Sequence, residues 1–294
     1  MTRRRQSCQP ALAVLLVLAG RAGAMDVTGC GQVVPAHDVG VLQIDLDCNG
    51  AARTCTYYAN IPCSSDADCN QTGPGLCASQ AVILGAGATL ELNGHSIVAD
   101  GAGGLGVWCA HPRFNVPCTI HGPGEISGGS IGVGAYRIVI ADVDVHDTNQ
   151  GIVAPTLVRA TNVTADHNGL LGLYAGRLEA TNVSASNNTD AGIFAPRLRG
   201  MGITASNNGG PGLIVYRRFK ITGLVADNNG GGGIYSTGGG VLSDSMLSGN
   251  LYEGASLDLL TARLPHLRNT TCGKSAQLDE SGEPGPSWGV CSGD

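Results

Sequence analysis

Gly192-Ile193-Phe194-Ala195-Pro196-Arg197-Leu198-Arg199-Gly200-Met201-Gly202-Ile203-Thr204-Ala205-Ser206-Asn207-Asn208 is one unit of a repeat, and its reading decides the fold. A glycine followed by an apolar residue returns at Gly132, Gly151, Gly172, Gly192, Gly212, Gly233 and Gly254, at spacings of 19 to 21 residues. An apolar-x-apolar pair returns at Val143/Val145, Val163/Ala165, Val183/Ala185, Ile203/Ala205 and Leu224/Ala226. An asparagine follows each later pair: Asn168, Asn188, Asn208, Asn229 and, one unit on, Asn250. The apolar residues alternate with period 2 in short pieces, so the pieces are strands. A propeller blade needs ~40 residues, and the Leu-x-x-Leu-x-Leu pattern of a leucine-rich repeat is absent. One coil of a parallel β-solenoid fits, with three short strands per coil stacked at ~4.8 Å. Small residues such as Ala165, Ala185, Ala205 and Gly200 suit a narrow interior. The asparagine column is expected inside a sharp turn, each amide bonding the coils on either side.

Composition agrees. The chain has 294 residues, 46 of them Gly, with 43% apolar, 14% charged and 4% aromatic residues. That is too apolar and too weakly charged for a disordered chain. No Gly-X-Y period is present, which excludes collagen. The formal charge of −6 with few aromatics speaks against nucleic-acid binding.

Arg3, Arg4 and Arg5 precede an apolar run, Ala11 to Gly20, and then Ala22-Gly23-Ala24. This pattern predicts a secretory signal peptide over residues 1–24. The run is too short for a membrane span, and no second candidate follows. A secreted or cell-surface location is expected, and a monomer. Val27-Thr28-Gly29-Cys30 also reads as a lipoprotein box, but it lies far beyond the apolar run. Cys8 falls in the signal, which leaves ten cysteines. An even set in an exported chain predicts disulfides. Residues 25–80 hold six of them and are expected to form an N-terminal cap. Coils are expected over 81–254. A C-terminal cap and tail should occupy 255–294, with Gly254 to Arg268 a short helix or a last coil, and Cys272 paired with Cys291. Cys109 and Cys118 should staple a loop out of an early coil.

Ala88-Thr-Leu-Glu-Leu-Asn93-Gly94-His95-Ser-Ile97, followed by Cys118-Thr-Ile-His121-Gly122-Pro-Gly124-Glu-Ile-Ser-Gly128, resembles the opening coils of secreted right-handed parallel β-helix repeat proteins. These belong to the pectate-lyase-like superfamily. The segment from Asn269 to Cys291 resembles the tail of many of its bacterial members. The resemblance covers about residues 80–294. It implies an all-β, right-handed parallel β-helix, and leaves function open among lyases, hydrolases, esterases, epimerases and non-catalytic spikes.

Two sets of outward residues carry chemistry. Six positions before each apolar pair stand Arg137, Leu157, Arg177, Arg197 and Arg218. Four positions before stand Val139, Arg159, Glu179, Arg199 and Lys220. With Arg217 these form a basic ladder on one outer sheet. Guanidinium forks match carboxylates and sulfates, so Arg137, Arg177, Arg197, Arg199, Arg218 and Lys220 are candidate ligands for an acidic polysaccharide. After the pairs, adjacent coils carry His146-Asp147 and Asp166-His167, with Asp142 and Asp144 nearby. These four are candidate proton-transfer or metal-binding residues, against a plain reading as cross-strand pairs on a polar face. His95 reads as part of a fold motif.

Asp45-Leu-Asp47-Cys-Asn49-Gly50 and Asp66-Ala-Asp68-Cys-Asn70 resemble half of a calcium loop, but Thr56 stands where the first needs its bidentate Glu. Asn188-Thr189-Asp190 imitates a polygalacturonase motif without the Asp-Asp pair and Gly-His-Gly which that hydrolysis requires. Two functions are therefore expected. One is an exported protein that binds, and as a lyase or epimerase would also cleave or epimerise, an acidic polysaccharide. The other is a non-catalytic extracellular module for adhesion.

Overall fold

Each unit closes into one coil because its alternating apolar residues turn inward and polar corner residues bend the chain between strands. The computed structural model describes residues 24–55, 58–65, 69, 77–101, 103–109 and 116–294. The expected signal peptide, apart from Ala24, and Cys8 lie outside them, as do Asp66, Asp68 and Asn70. The strands stack in parallel, in a solenoid of about nine turns. A 14-stranded sheet starts at Ala24–Val27. It continues through Arg137–His146, Leu157–Thr164, Arg177–Ser184, Arg197–Thr204 and Arg218–Asp227, and ends at His266–Arg268. The opposing 13-stranded sheet contains Leu173–Ala175, Ile193–Phe194, Leu213–Val215 and Ile234–Ser236. No helix among the described residues is long and apolar enough to cross a membrane.

The long strands are bent. Asp142, Asn162 and Asn182 sit at the bends with φ of 59°, 52° and 52°, in the left-handed region that Asn and Asp tolerate best. Each coil therefore has three faces: the short-stranded sheet and the two halves of the long strand. Register is strict, with Arg177 beside Arg197, Arg197 beside Arg218, and Val183, Ile203 and Leu224 in line. Ala165, Ala185, Ala205 and Ala226 are fully buried. Phe219 is buried too, and it gains room from Gly240 on the next rung, where a Cβ would strike the ring.

The asparagine column is a buried ladder. The Asn208 side chain accepts from the Asn188 backbone N–H (3.0 Å) and Nδ2 (3.1 Å), and donates to Asn229 Oδ1 (2.9 Å) and the Ala185 carbonyl (3.1 Å). All four bonds that a side-chain amide can make are therefore made. Thr148 starts the ladder by donating to Asn168 Oδ1, and Asp258 ends it by accepting from Asn250 Nδ2. The ladder also explains the glycine period. A Cβ on Gly192 would lie 2.8 Å from Asn208 Nδ2 and would also press on the Ala185 carbonyl of its own coil and the Gly212 carbonyl of the next.

Open strand edges invite pairing with other chains, and both ends of the solenoid depart from the regular coil. Parallel pairing reaches back to Ala24–Val27, into the segment expected to be cap. The antiparallel strands Arg53–Cys55 and Tyr58–Pro62 close one sheet beside Cys77–Leu84. Disulfides join Cys30–Cys48, Cys55–Cys69, Cys63–Cys77, Cys109–Cys118 and Cys272–Cys291. Residues 254–268 form a last coil, not a helix. Beyond it, Asp294 holds the tail. Partial burial works against its charge, but hydrogen bonds from Ser275 and the Cys291 N–H win and lower its carboxyl to about 2.

The buried and exposed asparagines make a matched test. Asn208→Ala leaves buried N–H and C=O groups unpaired and should lower stability by about 3 kcal/mol. Asn182→Gly, which keeps the left-handed φ without strain, removes one exposed bond to Asn162 and should cost less than about 1 kcal/mol. Urea unfolding of both variants checks the ranking.

Candidate functional site

The register places the basic residues as the sequence predicts. Arg137, Leu157, Arg177, Arg197 and Arg218 form one column at the start of the long strands, and Arg159, Glu179, Arg199 and Lys220 form the next. Inward residues between them, Leu178, Leu198 and Phe219, lock the strands to the core. Like charges one rung apart repel, and Glu179 relieves this at one end. It pairs with Arg159 (2.8 Å) and Arg177 (2.6 Å). The Arg159 hydrogen bond, with Arg177 behind it, outweighs partial burial and holds the Glu179 carboxyl below its ordinary range. Arg197, Arg199, Arg217, Arg218 and Lys220 are exposed and have no ion-pair partner among the described residues.

These side chains line a groove of about 680 Å³, which also contains Tyr216 and Arg263. A second groove of about 670 Å³ shares Arg177, Arg197, Tyr216 and Arg217 with it and reaches back to Arg137. The two run together along the corner between the short-stranded sheet and the long strands. Arg137 has a buried Nε without a hydrogen-bond partner.

Sequence reasoning missed Tyr216 and Arg263. The corner is one residue, Gly176 or Pro196, in two coils, and two residues at Pro155-Thr156 before them and at Tyr216-Arg217 and Thr237-Gly238 after them. The residue added at Tyr216-Arg217 was the available signal. Arg263 lies past the regular repeat, where spacing no longer aligns it.

The His/Asp set resolves differently. Asp147 and His167 occupy a left-handed corner with φ of 52° and 58°, and Asn187, Asn207 and Asn228 fill the same place in later coils. Backbone conformation therefore accounts for both residues. Asp166 accepts from the Ser184 hydroxyl and the Ser186 N–H. Ser186 and Ser206 cap the following rungs in the same way, which gives Asp166 a structural role. His146 stays in a charged group. Its Nδ1 lies 2.8 Å from Asp147 Oδ2, and its Nε2 lies 3.7 Å from Glu125 Oε2. Burial lowers its basicity, but Asp147, Asp144 and Glu125 together outweigh burial and raise it. Asp144 is shifted upward, first by burial and then by the Glu125 and Asp166 charges, and its Oδ1 is buried without a partner.

The structure thus groups Glu125, Asp144, His146 and Asp147, and leaves His167 exposed. Glu125 sits beside Asp144 across a register shift between His121 and Gly124, which hid it from a periodic alignment. Among the described residues, these groups do not converge as three metal ligands; only Cys55, Cys63 and Cys69 do, and all three are in disulfides. In the suggested calcium loop, Asp47 bonds to Asn49 and Asp45 to the Ser96 N–H. The groove beside Glu125 and Asp144 also holds His95 and shares no residue with the arginine groove. The cations and the acid–base group therefore lie apart.

The chain matches no protein-family model and no curated protein. Among solved structures it is similar to the periplasmic alginate epimerase AlgG, with a TM-score of 0.52 and 14% identity over 82% of this chain and 70% of that one. The chain is a parallel β-helix protein. At this identity the likeness concerns the fold alone. A looser likeness joins it to the enzymatically active domain of bacteriophage CBA120 tailspike protein 2. There the TM-score is 0.43 and the identity 13%, over 84% of this chain and 43% of that one.

The His146 shift has a stability signature in this β-helix. A histidine raised above its ordinary 6.5 stabilises the fold fully below that value and loses the contribution as pH rises through the folded value. His146→Ala should therefore lower Tm most near pH 5.5 and least near pH 8.5. A Tm deficit that is flat across this range would contradict the assignment.

Proposed function

We propose that this chain is an exported β-helix module that binds an acidic polysaccharide along its arginine groove without transforming it. One observation carries the reading. Five exposed cations, Arg197, Arg199, Arg217, Arg218 and Lys220, are stacked on two successive coils with no ion-pair partner among the described residues. Such a ladder is self-repelling until an anion neutralises it. A linear polyanion offers charges at regular intervals, and guanidinium forks take carboxylates in pairs. Five disulfides suit an oxidising, exported setting. The similar structure named above is that of an alginate epimerase, which supports a polysaccharide ligand.

The enzymatic alternative, a lyase or epimerase, needs a proton-transfer group beside the bound sugar carboxylate. Among the described residues no acid or histidine lines the Arg groove, and Glu125 and Asp144 line another groove. That separation favours binding.

Titration with polyuronates should show binding that weakens steeply with salt, because exposed charges are screened. Arg197→Ala with Arg218→Ala should reduce affinity by at least about tenfold. Asp144→Asn with His146→Ala should leave affinity unchanged, and absorbance from unsaturated products should stay flat. Equal binding of neutral glycans, or growth of that absorbance, would overturn the reading.

A further inference from the structure

An aromatic cluster interrupts the cationic groove. Tyr174 and Phe194 occupy adjacent rungs of the short-stranded sheet, on its outer face, with ring centroids 5.1 Å apart and planes 29° apart. Each thus covers a face of the other. Tyr216 breaks this pattern. Its ring lies 5.1 Å from Phe194 but is turned 82° to it. It stands in the two-residue corner described above, is 45% exposed, and lines both arginine grooves. Phe194 supports it from beside. Arg197 and Arg217, which line both grooves with it, and Arg218, which lines the first, flank it.

An exposed ring set edge-to-face on a second ring is held in place, and one of its faces can receive a flat apolar surface. A pyranose ring has such a surface, formed by its axial C–H groups, while a uronic acid carries its carboxylate on the ring edge. A ligand with both features satisfies Tyr216 and the arginines together. A ringless polyanion satisfies the arginines alone.

We propose that Tyr216, braced by Phe194, is a sugar-stacking subsite that makes the groove selective for polyuronates over ringless polyanions. This rests on the reading of the groove as an acidic-polysaccharide site, and it adds a specificity-determining residue to it.

The experiment compares an oligouronate hexasaccharide with inorganic polyphosphate of equal charge, by calorimetry at one salt concentration. The proteins are the wild-type chain, Tyr216→Ala, Tyr216→Phe and Arg197→Ala/Arg218→Ala, each checked for unchanged thermal unfolding. Tyr216→Ala should weaken the oligouronate about tenfold and leave polyphosphate unchanged, while Tyr216→Phe keeps wild-type affinity for both. The double arginine variant should weaken both ligands. If the wild type binds the oligouronate and Tyr216→Ala binds it equally well, or loses both ligands in parallel, the subsite is overturned and the arginine groove stands. If the wild type binds no oligouronate, both are overturned.

Discussion

The buried asparagine ladder is the interaction on which the rest of this structure depends. A solenoid held only by strand pairing and small aliphatic side chains has weak register, because Val, Ile, Leu and Ala are nearly interchangeable between rungs. An amide that must place two acceptor and two donor bonds has no such freedom. Asn208 reaches Asn188, Asn229 and Ala185 at once, so a slipped coil would leave several buried polar groups unpaired. The glycines at Gly172, Gly192, Gly212 and Gly233 follow from the same constraint, since a Cβ at each would press on the neighbouring amide and on backbone.

Fixed register turns sequence columns into surface columns. Any side chain that faces out meets its counterpart one rung away, so electrostatics becomes a property of the column. Glu179 between Arg159 and Arg199 makes that part of the ladder nearly self-sufficient. Arg197 beside Arg218, and Arg199 beside Lys220, leave the following part dependent on an outside anion. Burial raises the Asp144 carboxyl first and the Glu125 charge beside it adds to this, but there His146 lies close enough to share the charge.

The period, the strands, the inward alanines and the two basic columns were legible because each is a repeating property, and repetition is visible in one chain. The positions of Asp147 and His167 have a backbone explanation that spacing alone does not show. A left-handed corner selects Asn, Asp and His whatever their chemistry, and Asn187, Asn207 and Asn228 at the same place show that selection. Asp166 looked reactive because its role as a rung cap depends on hydrogen bonds that no spacing reveals. Glu125 and Tyr216 were hidden by departures from the repeat: a register shift in one case and an added residue in the other.

Those departures show where this fold can change. Between Asn188 and Asn208 the chain takes 20 residues, and between Asn208 and Asn229 it takes 21, yet the ladder bonds are 3.1 and 2.9 Å. The added residue is absorbed at the corner where the short-stranded sheet meets the long strands, away from the ladder. A corner exposed to water can take one more residue at small cost, because its backbone groups are hydrated or bond to the adjacent coil. Arg217 and Arg218 do the latter, both donating to the Pro196 carbonyl. The interior fixes the spacing of the columns, and the corner is free to vary. A site built at that corner inherits the regular spacing of the cations and adds to it the pair Tyr216 and Arg217 of the lengthened turn.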